Sequence, residues 1–228
     1  MRFKYLTLVL FIFMASGFRL LTSAKWNTSP TSPTLWVRYC SDLNDKFIGN
    51  NDLPTSDPLV GTNLSVVDAL TSIRNNFNNI ENSFIRLAAY PANPSSPPAP
   101  ETGDDAFTVA LASKRTIDIC SVTPTNPFQG GEARPVIEGS TITGCKITMS
   151  TKSLKSAKEY IGTLTHEIGH CLGLHHPQET KNAIMSYHRD RDKYRLMIDD
   201  KMGLIFQYPK AGIDVKESAT FGLSCSKR

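Results

Sequence analysis

Histidine is nearly absent from this chain: there are five in 228 residues, and none precedes position 166. An imidazole-built metal site is therefore excluded from the long stretch upstream. Long hydrophobic runs are missing too. The N-terminal run "YLTLVLFIFMASGF" (5–18) covers 14 residues, short of the about 20 that a membrane-spanning helix needs. No internal repeat is visible, which argues against a solenoid or propeller, and there are no glycine-rich calcium-binding nonapeptides. An excess of charge is also lacking. The formal net charge is +4, but Arg2, Lys4 and Arg19 sit among the first 24 residues without an acid, so the remainder carries about +1. That leaves no electrostatic case for a nucleic-acid partner or an anionic surface.

What is present at the N terminus reads as an export signal. The basic start "MRFK" precedes the apolar run, and small residues offer cleavage after Ala24 in "LTSA" or after Gly17 in "MASG". A membrane anchor is the competing reading, and the length of the run disfavours it. We therefore expect residues 1–24 to be a signal peptide, 25–212 a single folded domain and 213–228 a tail. Hydrophobic content of 40% and charged content of 20% are ordinary for a globular chain long enough to bury a full core. An exported chain meets an oxidising compartment, so Cys40, Cys120, Cys145, Cys171 and Cys225 are candidates for disulfides. An odd number leaves at least one without an intramolecular partner. Cys171, on an apolar helix face, is the best candidate for a buried free thiol. Cys120 with Cys145 and Cys40 with Cys225 are the favoured bridges, although spacing cannot fix connectivity.

"PTLWVRYC" (33–40) reads as a strand. In "SVVDALTSIRNNFNNIENSF" (65–84), Val66, Leu70, Ile73, Phe77, Ile80 and Phe84 fall on one helical face, and Ser65 with Asp68 predicts a capped start. "FIRLAAY" (84–90) is the next candidate strand. Five prolines among residues 91–100 mark a loop and disfavour helix. "RTIDICSV" (115–122) and "GCKITMS" (144–150) look like strands separated by a Gly/Pro-containing loop. Ser156 and Glu159 form a second capping-box signature, followed by an apolar stripe of Tyr160, Ile161, Leu164, Ile168, Cys171 and Leu172. A last helix is expected from Asp199 to about Phe206, with Asp199 and Asp200 favourable at its positive end. This order predicts a mixed α/β domain, not an all-helical bundle.

Four of the five histidines fall in "THEIGHCLGLHHP" (165–177). His166 and His170 are four apart, so on a helix their rings project from one face within reach of one ion. A third ligand requires the chain to turn back, and Gly173 is suited to end a helix in a left-handed conformation. His176 can then complete a three-nitrogen site. Three neutral imidazoles leave the fourth position of zinc to water, whose pKa falls to about 7. Glu167, beside the first ligand, is placed to take a proton from that water. A histidine pair alone also arises by accident; the intervening glutamate, the Gly173–His176 extension and the later "NAIMSYH" together favour a metal site.

With these residues, "HEIGHCLGLHH" and "AIMSY" resemble a metzincin zinc metalloprotease, most like the matrixin branch. The nine positions from His176 to Met185 give a short connection, "RLMIDDKMGLIFQY" is similar to the matrixin C-terminal helix, and "TLWVRY" to the first strand. The resemblance implies a twisted, mostly parallel five-stranded sheet with three helices and a zinc cleft. It implies His166, His170 and His176 as ligands of one catalytic zinc, Glu167 as general base and Met185 as the floor beneath the metal. "GCKITMS" would be the edge strand that pairs with an extended substrate. Tyr187, two after Met185, resembles the serralysin and astacin arrangement in which a tyrosine approaches the zinc, and is a further candidate catalytic residue.

The chain also departs from the matrixin pattern. Without upstream histidines, a second, structural zinc is not expected. The latency motif "PRCGxPD" is missing, and Cys40 in "VRYCSD" is a poor substitute for it. Tyr187 and "HHP" resemble the serralysin pattern instead. His175 loses to His176 on family spacing, and His188 reads as a solvent-facing or supporting residue. Calcium is not readable: "DLNDKFIGNND" (42–52) lacks an ordered ligand loop. The expected activity is a secreted or extracellular zinc endopeptidase (periplasmic in a bacterium), monomeric, acting on protein or peptide substrates, with no nucleic-acid partner and no membrane attachment after signal cleavage. An exopeptidase or deformylase shares the short motif. The non-enzymatic alternative is a secreted, metal-stabilised binding module or adhesin, against which the intact Glu167 argues.

Overall fold

Ser65 opens the first helix as its spacing predicts. Its hydroxyl accepts the Asp68 N–H at 3.1 Å, and the Asp68 carboxylate accepts the Ser65 N–H at 3.3 Å, so each side chain satisfies the other residue's otherwise orphaned backbone donor. In the computed structural model, which describes residues 19–20, 24–40, 43, 46–90, 115–122, 130–177, 181–187 and 192–213, this helix, α1, runs Val66–Asn78. Val66, Ala69, Leu70, Ile73 and Phe77 are buried on its inner face. Ile80, on the same expected stripe, lies beyond the helix end yet still packs in the core.

Eight strands are described: β1 (Arg19–Leu20), β2 (Lys25–Trp26), β3 (Thr34–Tyr39), β4 (Arg86–Ala89), β5 (Thr116–Val122), β6 (Gly131–Glu138), β7 (Thr141–Ser150) and β8 (Leu174–His175). The main sheet runs β6-β7-β5-β3-β4, parallel except for β6, with short β2 pairing parallel to the start of β7. β1 pairs antiparallel with β8. Two further helices, α2 (Ala157–Cys171) and α3 (Ile198–Gln207), complete the mostly parallel five-stranded, three-helix architecture. No described helix is long and apolar enough to cross a membrane.

Two expectations about the sheet are corrected. "GCKITMS" is not the edge: β7 lies between β5 and β6. Among the described residues the edge is β6, inside the stretch read as a loop. Its sequence, GEARPVIE, carries Pro135 and the Glu132–Arg134 ion pair, which breaks the alternation of a half-buried strand and puts proline where only an edge strand accepts it.

The disulfide expectations are corrected as well. Cys40 joins Cys120, and Cys145 joins Cys171. Cys171 is therefore no free thiol, and Cys225 lies outside the described residues. Register explains why Cys120 and Cys145 do not meet. On β5 and β7, Ile117 faces Cys145 and Cys120 faces Thr148, so the two cysteines are offset by three residues and point to opposite faces. Cys145 shares the inner face with Ile147 and Met149, against which α2 packs; Cys120 shares the outer face with Asp118, which pairs with buried Arg38.

The Ser156 hydroxyl accepts the Glu159 N–H at 3.2 Å and caps α2. The carboxylate that completes this cap is Asp52, which accepts the Ser156 hydroxyl at 2.7 Å and the Lys158 N–H at 3.0 Å. Beneath the helix, the Tyr160 and Tyr39 hydroxyls lie 3.0 Å apart, and Tyr39 donates onward to the Val66 carbonyl at 2.9 Å. Helix α2 is thereby fixed to both the sheet and α1.

Candidate active site

His166 and His170 stand one turn apart on α2. Leu172 caps the helix, and Gly173 reverses the chain at φ +88°. A Cβ at 173 would meet the Ala24 carbonyl oxygen and Gln207 Nε2, each at 2.7 Å. Both backbone conformation and space therefore require glycine there. The chain returns along β8 and delivers His176.

Three imidazoles converge. His176 Nε2 lies 3.0 Å from His166 Nε2 and 3.1 Å from His170 Nε2. The outer nitrogens settle the tautomers of two rings. His166 Nδ1 donates to the Ile184 carbonyl at 2.7 Å, and His170 Nδ1 to the Leu174 carbonyl at 2.9 Å. With their protons on Nδ1, both rings turn an Nε2 lone pair inward, the arrangement a metal ligand needs. Burial pushes the His170 pKa down, and burial together with the imidazoles of His170 and His175 pushes His176 down to about 4. Lone pairs gathered this closely repel one another unless a cation lies among them, so the donor set fits a divalent metal of zinc's preferences. His166, His170 and His176 form the described group able to hold an ion.

Met185 packs against Gly169 of α2. Met185 is 2% exposed, and a Cβ on Gly169 would overlap its sulfur. The turn carrying Met185 is pinned by Asp200, which sequence reading credited only with a place at the start of α3. Its carboxylate accepts the N–H groups of Ile184 at 2.9 Å, Met185 at 3.2 Å and Met197 at 2.8 Å. Burial pushes the Asp200 pKa above the ordinary carboxylate value, against these three donors.

Glu167 is buried, 6% exposed, and lines a cleft of about 780 Å³ with His166, His176, Thr163, Gly131 and Tyr187. Tyr187 is 60% exposed, and its ring lies 3.8 Å from that of His176. His175 stands outside the trio and accepts the His176 N–H at 2.9 Å; His188 lies outside the described residues. In "DLNDKFIGNND", Asp52 caps α2, and the Asn51 side chain donates to the Leu59 and Thr62 carbonyls at 2.7 and 3.0 Å. This end of the segment supports the fold. Sequence reading missed the structural roles of Asp52 and Asp200 and of Gly131 in β6; the Asp-Asp pair in the first turn of the last helix was the available signal for Asp200.

The family model described as Matrixin matches residues 93–208. No curated protein matches the chain. The matched span runs from before β5 to the end of α3 and includes all three histidines, the glutamate and the methionine turn. The chain belongs to the matrixin family of zinc metalloendopeptidases.

Proposed function

We propose that the chain is an exported endopeptidase in which His166, His170 and His176 hold one catalytic zinc and Glu167 acts as general base. The observation that carries this reading is the meeting of three Nε2 atoms, two of them on rings whose Nδ1 is committed to a backbone carbonyl. Zinc held there supplies Lewis acidity, polarising the scissile carbonyl and lowering the pKa of water to about 7. Glu167 takes a proton from the attacking water and returns it to the leaving amine. Tyr187 donates a hydrogen bond to the oxygen that gains charge as water attacks. An extended substrate lies along the side of β6 away from β7 and pairs with its backbone. Residues 1–17 direct export, in keeping with two disulfides; of the two cleavage points, the one after Gly17 leaves β1 and the buried Ala24, whose carbonyl accepts Gln207, with a catalytic domain that runs to residue 212.

The rival is a metal-stabilised binding module. A buried carboxylate beside the ligands favours the enzyme, because a purely structural site needs no base. The test is zinc analysis together with cleavage of internally quenched peptides blocked at both termini, using wild type and Glu167→Ala. Both proteins should hold one zinc, and only wild type should cleave. Zinc-loaded wild type that cleaves neither blocked peptides nor proteins would establish the binding module. Cleavage confined to peptides with a free terminus would establish an exopeptidase.

A further inference from the structure

Pro135 sits in the middle of β6, and among the described residues β6 pairs only with β7. The pairing is antiparallel, with Gly131 opposite Met149, Ala133 opposite Ile147 and Pro135 opposite Cys145. The Ser150 N–H donates to the Gly130 carbonyl at 2.8 Å. Positions bonded to β7 therefore alternate from Gly130 to Glu132 and Arg134. The backbone groups of Gly131, Ala133 and Pro135 point the other way, off the sheet. Gly131 and Ala133 each present an N–H and a C=O there; Pro135 has no N–H to present. Immediately beyond, the register shifts between Val136 and Ile137, a bulge that disrupts the edge further.

Gly131 marks the catalytic end of this edge. A Cβ on it would meet Thr163 Cγ2 at 3.0 Å and Glu167 Cγ at 3.2 Å. From Gly131 to Pro135 the strand advances about 13 Å.

We propose that Pro135 ends the backbone template for the substrate: an extended peptide pairs with Gly131 and Ala133 and is unpaired from Pro135 onward. Specificity on that side of the scissile bond is thereby confined to a short segment. This rests on the endopeptidase reading and goes beyond it. A peptide laid antiparallel on β6 exchanges two hydrogen bonds with Gly131 and two with Ala133. The residue facing Pro135 finds no donor for its carbonyl, and the pyrrolidine ring stands where the missing hydrogen would be, so the two-bond exchange does not close there. Its own carbonyl stays with water. A proline on an edge strand also shields the edge from other sheets. If shielding is its whole role, its replacement changes self-association and leaves the recognised length untouched.

The experiment lengthens a doubly blocked, internally quenched peptide one residue at a time, at each end in turn, and compares wild type with Pro135→Ala and Pro135→Thr. With wild type, kcat/KM should stop rising at one terminus once the residue facing Ala133 is present. The variants should continue to gain for about two more residues, by about 2- to 10-fold, the worth of one neutral hydrogen bond. The gain should appear mainly in KM, because the added contact is remote from the reacting bond. Pro135→Thr keeps a good strand former at the site and guards against a failure specific to alanine. Cleavage by all proteins with identical length profiles overturns the inference alone. Zinc-loaded proteins that cleave no blocked peptide overturn the endopeptidase reading, and this inference with it.

Discussion

The sulfur of Met185 lies against Gly169 so closely that no Cβ fits between them. Gly169 stands immediately before His170, the second proposed ligand, so the methionine turn and α2 are in contact through a residue without a side chain. Gly169→Ala must push the methionine turn and α2 apart, an overpacking worth about 1–3 kcal/mol. A lower Tm with weaker zinc retention is expected, read by thermal denaturation and by competition with a chelator. A variant with unchanged Tm and zinc affinity would contradict this contact.

Ligand and base should separate cleanly. His170→Ala should lose its zinc, whereas Glu167→Ala should retain it and lose about 10²–10⁴-fold in kcat/KM. Chelation of wild type should abolish cleavage, and added zinc should restore it. Glu167→Ala cleaving as fast as wild type would remove Glu167 from the mechanism.

Tyr187→Phe keeps the ring beside His176 and deletes only the hydroxyl. A hydrogen bond made as charge develops should appear in kcat more than in KM, with a loss of about 10- to 10³-fold. Zinc content and Tm should stay at wild-type values. An unchanged kcat would reduce the residue to a packing partner of His176.

Asp57 predicts an acid limb in the stability profile. Burial alone would raise its pKa, but hydrogen bonds from Arg195, the Leu59 N–H and Tyr194, with the Arg195 charge, hold it below the ordinary 3.8. A carboxylate with a lowered folded pKa stabilises the fold above its unfolded pKa, and that contribution is lost as pH falls through the folded value. Asp57→Asn should therefore cost about 1.5–3 kcal/mol at pH 7. The difference from wild type should shrink below about pH 4, as urea unfolding at several pH values would show. A constant difference at all pH values would mean that the charge is irrelevant.

The Cys145–Cys171 bridge ties β7 to the last residue of α2, directly after His170. With a sequence separation of 26, its loss should cost about 3–4 kcal/mol. Cys145→Ser with Cys171→Ser should lower Tm and speed zinc release to a chelator, whereas loss of Cys40–Cys120 should lower Tm alone. Equal zinc release from the two double variants would argue against a special role for the bridge at α2.

The parts legible in the sequence are those set by local spacing. The α1 stripe as far as Phe77, the Ser65–Asp68 cap and the two-histidine turn of α2 depend on residues three or four apart and lie where periodicity puts them, whereas Ile80 and Phe84, read as the same helical stripe, fall after the helix has ended at Asn78. The remainder depends on partners that spacing cannot reveal. Asp52 completes the cap of α2 from 104 positions away, and Asp200 reaches back 15 positions to Met185. Cys171 looked like an isolated apolar thiol because its partner's face is defined only once β7 packs on α2. Strand β6 was hidden because its charges and Pro135 suit an edge, whereas alternation identifies strands with one face in the core.

The glycine turn between the second and third ligands is enclosed by residues from both ends of the domain. Gln207 donates to the Ala24 carbonyl at 2.8 Å, across 183 positions, and the Trp26 indole donates to the Cys171 carbonyl at 2.7 Å, across 145. Contacts of such separation form only after the intervening chain has closed its loops, and their entropy must be met before they stabilise anything. A chain still being synthesised, with residue 207 not yet emerged, has the histidines but not the walls that hold their turn. Completion of the proposed metal site should therefore come late in folding: a chain truncated before α3 should retain no zinc by metal analysis, and stoichiometric zinc in that chain would contradict this.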